Sequence, residues 1–91
     1  MDIVIRDNST KSYNRTLIEI PIGKECRILR VNAGYHAKRR LACLGIIPGV
    51  KVIKKNAAPL RGPVEIIVKG ASLVLGRGLA SKIIVINEKA N

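Results

Sequence analysis

The run Arg40-Leu41-Ala42-Cys43-Leu44-Gly45-Ile46-Ile47-Pro48-Gly49 constrains the fold more than any other stretch, because it must end a short helix and open a strand almost without a loop. The spacing predicts a helix over residues 35–44 with Ala37, Leu41 and Leu44 on its buried stripe and Lys38, Arg39 and Arg40 on its outer face. Gly45 supplies the residue past the helix end that tolerates positive φ. Pro48-Gly49 then turns the chain into a strand over residues 50–55, with Val50 and Val52 facing in and Lys51 and Lys54 facing out. A helix packed tightly onto the start of a strand, in a chain of 91 residues, points to a helix plugged against a small barrel.

That length allows one domain. The apolar fraction of 47% comes mostly from Ile, Val, Leu and Ala, and the aromatics are Tyr13 and Tyr35 only. Single-strand nucleic-acid binders and proline-peptide readers rely on flat aromatic surfaces, so both classes are disfavoured. Seventeen Lys and Arg against six Asp and Glu give a net charge of +11, a field that attracts nucleic acid, an anionic membrane face or an acidic protein patch alike. No run approaches the ~20 apolar residues that span a bilayer, and no secretory signal is visible, so a soluble cytoplasmic protein is expected.

Residues 1–16 are read as a polar extension ordered at most in part, residues 17–87 as the domain and residues 88–91 as a tail. Over residues 25–32, Cys26, Ile28 and Val31 face inward, and the alternation breaks between Leu29 and Val31, which predicts a bulge or a strong bend. Residues 32–34 start the helix, and residues 56–63 form a turn or loop. Val64, Ile66 and Val68 give residues 64–69 a half-buried strand pattern, reversed at Gly70-Ala71 into a strand over residues 72–75. Residues 76–82 have room for about one helical turn, with Gly76 letting the chain leave the strand and Gly78 relieving crowding, and residues 83–87 form the last strand. The expected fold is therefore mainly β: a partly open small barrel of about five short strands with one inserted α-helix.

Chemistry is sparse. The single His36, beside Lys38, Arg39 and Arg40, fits an exposed helix residue better than a general base, and the carboxylates Glu19, Glu25, Glu65 and Glu88 are scattered, so catalysis is not expected. Cys26 and Cys43 lack a Cys-x-x-Cys spacing and read as reduced, partly buried thiols. With His36 they make a conceivable soft metal site, though the spacing is weak. Gly76-Arg77-Gly78 lacks the Lys-Ser/Thr ending of a phosphate loop.

The ordered set Arg40-Leu41, Leu44-Gly45-Ile46, Pro48-Gly49, Pro59, Gly62-Pro63, Gly70, Leu73-Val74-Leu75-Gly76-Arg77, Ala80 and Ile83 resembles the FeoA family of small ferrous iron transport proteins. The resemblance spans residues 17–87 and implies an SH3-like small barrel with an inserted helix. It implies a cytoplasmic accessory or regulator of the FeoB ferrous iron permease, without an active site of its own. Similar domains form the C-terminal part of some iron-dependent repressors, but a free-standing domain without a DNA-reading helix-turn-helix is the expectation here.

On that reading Lys38, Arg39, Arg40 and Arg77 steer the encounter with the permease, and Leu41 holds the helix on the barrel. The positive face is suited to the anionic inner leaflet, where each nearby Lys or Arg is worth about 1 kcal/mol. No cofactor is required, and any divalent metal binding is expected to be weak. A homodimer through an apolar strand edge bearing Ile67 or Ile84 is a further expectation. The alternatives are a basic small-barrel nucleic-acid binder, disfavoured by the missing aromatics, and a divalent-metal-binding regulator with a poor ligand set.

Overall fold

A computed structural model describes residues 14–86. Six strands, β1 (Asn14–Thr16), β2 (Glu25–Val31), β3 (Lys51–Ala57), β4 (Val64–Val68), β5 (Ala71–Leu75) and β6 (Ile83–Ile86), form one sheet in the order β1-β6-β2-β3-β4-β5. Every neighbouring pair is antiparallel. The sheet is not closed, since β1 and β5 lie at its two ends. Helix α1 (Tyr35–Cys43) bridges β2 and β3, and the single turn α2 (Arg77–Ala80) bridges β5 and β6. The mainly β architecture with a helix inserted between strands, expected from the sequence, is thus present, with one strand more than expected. Strand β1 begins before residue 17, and the rest of the expected N-terminal extension lies outside the described residues.

One contiguous core draws Cys26, Ile28, Val31, Val52, Val64, Ile66, Val68, Leu75, Ile83 and Val85 from five strands, and Leu41 and Ala80 from the two helices. The expected inward residues of β2 and β4 are all there. The expected bulge is present too: the β2–β6 register shifts between Ile28 and Arg30, so Leu29 is the extra residue. A second shift, between Lys54 and Asn56 in β3, was not legible from the alternation.

Several expectations need correcting. Lys54 does not face out; it is only 5% exposed. Period two places residue 54 on the same face as Val52, and the long stem carries the ammonium across the core to the rim. Cys43 is exposed, while Cys26 is buried. Gly78 relieves no crowding, because a Cβ there would meet nothing within 4 Å; the crowded glycine is Gly62, whose Cβ would lie 2.5 Å from that of Ala58. Ile67 and Ile84 are not on edges, since β4 and β6 each have neighbours on both sides.

The glycines give a paired prediction. Gly62→Ala should destabilise the fold by about 1–3 kcal/mol through overpacking. Gly78→Ala, in a helical turn with open space, should stabilise it by about 0.5 kcal/mol. Urea denaturation of the two variants checks the contrast.

Candidate functional site: the outer face of the first helix

The helix that carries the predicted partner-binding residues is set by its C-terminus. Gly45 N–H donates to Ala42 O at 2.9 Å and Ile46 N–H donates to Leu41 O at 2.9 Å, with Gly45 at φ +92°. These bonds form a Schellman motif, whose accompanying apolar contact falls here to Leu41 and Ile46, both buried. Leu44 therefore leaves the stripe expected of it: it is the residue that ends the helix, with φ −90° and ψ 3°, and is 46% exposed. Ala37 is half-buried, so Leu41 alone anchors α1 deeply.

The chain then turns at once. Val50 N–H donates to Ile47 O at 3.3 Å, Pro48 takes the first corner position, and Gly49 follows at φ +93°. Gly49 N–H donates to Ile28 O at 2.8 Å, and the Arg27 guanidinium donates to Gly49 O at 2.9 Å, so the turn is tied to β2. The ten-residue motif is thus a clamp that fixes the orientation of α1.

Outside that clamp, Lys38, Arg39 and Arg40 are all exposed. The Arg39 guanidinium donates to the Tyr35 hydroxyl oxygen at 3.1 Å and sits 5.8 Å from the Tyr35 ring centroid, a distance at which cation–π attraction acts. Tyr35 also meets His36 edge-on at 5.6 Å. Arg40 lies in the last turn, where it complements the helix dipole. Among the described residues no carboxylate pairs with these three cations. Exposed Leu44 and Ile47 flank them, giving a basic face with an apolar border.

Arg77 is not part of that face. It lines a cleft of about 410 Å³ with Thr16, Ile18, Glu19, Gly78 and Ser81, between the end of β1 and α2. Beneath this region Lys54, missed by sequence reasoning, donates from Nζ to Ile18 O and Ile20 O, each at 2.9 Å. Burial pushes the Lys54 ammonium below its ordinary 10.5, and the charge of Arg77 adds to the push. The alternation itself was the signal that could have found Lys54.

For metal ligation, no group of three His, Cys, Asp or Glu side chains comes together among the described residues. Buried Cys26 and exposed Cys43 and His36 are not gathered into one site. No helix among the described residues is long and apolar enough to cross a membrane.

Residues 15–87 match the FeoA domain family. The chain belongs to the FeoA family. It is 42% identical over 65 residues to a protein of Methanocaldococcus jannaschii provisionally named Fe(2+) transport protein A, covering 69% of this chain and 74% of that one. The solution structure of the FeoA protein from Chlorobium tepidum is similar at a TM-score of 0.77 and 30% identity, over 84% of this chain and 72% of that one. The zinc-complexed FeoA of Stenotrophomonas maltophilia, described as a prokaryotic SH3 domain protein, has a TM-score of 0.68 and 24% identity, over 77% and 87% of the two chains. At that identity it speaks to the fold alone. FeoA proteins form a small accessory family of iron transport.

Proposed function

We infer that this protein is a cytoplasmic accessory or regulatory protein of ferrous iron uptake that binds a FeoB-type permease. The observation that carries the reading is the outer face of α1. Its three consecutive cations are exposed and unmatched by carboxylates among the described residues, on a helix whose orientation is fixed by the Leu41–Gly49 clamp. Such a face steers and orients encounter with an acidic surface, while the neighbouring Leu44 and Ile47 offer apolar contact. Leu41 acts from inside the fold. Arg77 contributes from the separate cleft. A location at the inner face of the membrane accords with the positive charge, which anionic headgroups attract. The protein performs no catalysis on this reading and needs no cofactor.

The test is a pull-down from membranes at physiological salt, comparing the parent with a variant carrying Lys38→Glu, Arg39→Glu and Arg40→Glu. The parent should recover a ferrous iron permease, and the variant should recover at least about tenfold less, with an unchanged melting temperature. Equal recovery by both would remove this face from the interaction. Selective recovery of a defined RNA or DNA instead would overturn the reading.

A further inference from the structure

The outer edge of β5 is a surface of a different kind. Lys69 and Gly70, at φ +51° and +82°, form a two-residue loop joining β4 to β5, so the flanking Val68 and Ala71 are a hydrogen-bonded pair. Alternation then makes Ile66–Leu73 and Val64–Leu75 hydrogen-bonded pairs as well. Ala71, Leu73 and Leu75 spend their backbone groups on β4. The N–H and C=O groups of Ser72 and Val74 point the other way, and among the described residues no strand lies there.

Edge strands are usually blunted by a charge, a proline or a bulge within the strand. Strand β5, Ala-Ser-Leu-Val-Leu, has none of these, and its pairing with β4 is regular throughout. Val74 is 65% exposed on the outer face and borders a groove of about 170 Å³ with Asn56, Ala57, Ala58, Pro63 and Glu65. The charges sit just beyond the strand ends: Lys69 before it and Arg77 after it, neither side chain with a hydrogen bond or ion pair to a described residue.

This arrangement discriminates between occupants. A second copy pairing antiparallel over the full length of the edge would match Ser72 with Val74 of the other chain, and that register brings the strand end next to Lys69 of one chain to the strand end next to Arg77 of the other, twice. The like charges oppose it. A strand with carboxylates at its ends meets the same two cations favourably. We propose that the β5 edge binds an extended polypeptide segment by strand addition, with an uncharged β-forming centre paired to Ser72 and Val74 and acidic residues beside Lys69 and Arg77. This surface is distinct from the face of α1, and Arg77 is the one residue that it shares with the reading above.

The probe is a capped peptide with an alternating valine–threonine centre and paired acidic residues at both ends, titrated into the full chain and followed by backbone amide shifts and exchange. Binding should slow amide exchange at Ser72 and Val74. Val74→Pro removes an outward N–H without touching the bonds to β4 and keeps the net charge, so it should weaken binding about tenfold or more. A peptide of the same centre with basic ends should bind at least about tenfold more weakly than the acidic one, a comparison that needs no change to the protein. Lys69→Glu should let the β5 edges of two copies pair, giving a dimer in sedimentation that Val74→Pro abolishes. Equal affinity of the parent and Val74→Pro for the acidic peptide, or no binding of that peptide, would overturn the proposal. A parent chain that already dimerises through β5, or a nucleic acid protecting the same amides, would overturn it too.

Discussion

Lys54→Met should destabilise the fold by about 3 kcal/mol, the cost of a lost charge-assisted interaction together with stranded carbonyl groups. The ammonium holds Ile18 O and Ile20 O, and Gly23 N–H donates to Lys54 O at 2.6 Å, so one residue secures both sides of the 17–23 turn. That turn delivers Leu17 and Ile20 into the core, where both are almost fully buried. Methionine keeps the apolar stem but offers the carbonyls nothing. Because burial lowers the native pKa below 10.5, the unfolded chain holds this proton more tightly than the folded one. The Lys54 contribution to stability is therefore smallest below the native pKa and rises with pH up to 10.5. Urea denaturation at neutral pH and near pH 10 should find the gap between parent and variant wider at the higher pH. A gap that is constant or narrows with pH would contradict this.

Leu41→Ala should cost a similar amount, about 3 kcal/mol, by leaving a cavity beneath α1 and removing the apolar contact of the Schellman motif. Leu41 is 1% exposed and is the one buried residue of its helix. In a domain of this size each kcal/mol moves the melting temperature by about 4–8 °C, so the loss should be plain in a thermal melt. Leu44→Ala is the control. With its side chain half in solvent, it should change stability by no more than about 0.5 kcal/mol. Similar losses in the two variants would mean that the helix is anchored differently from the geometry described above.

That contrast marks where the sequence stops being legible. The run from Arg40 to Gly49 betrays a helix end, a positive-φ glycine and a turn, because glycine and proline act locally and their neighbours cannot override them. It does not reveal that Ile46 replaces Leu44 in the core, which depends on how far the chain unwinds past Cys43. The inward residues of β4 follow from strict alternation against one buried face, and those of β2 from the same alternation interrupted at Leu29. Lys54 obeys the same alternation, yet its charge argues for the outside, and only the rim carbonyls of Ile18 and Ile20 resolve the conflict. The basic face of α1 is visible as three adjacent cations, whereas the removal of Arg77 to another cleft is a matter of topology that spacing along the chain does not encode.

The proposed binding to the permease through α1 is tested most directly by titrating the purified protein against a FeoB-type permease held in anionic nanodiscs, at low and physiological salt. The parent should bind at both, more weakly at the higher salt, and the Lys38, Arg39 and Arg40 to Glu variant should lose about tenfold or more in affinity while melting at the parent temperature. Equal affinities for the two proteins, or no binding by the parent at physiological salt, would contradict it.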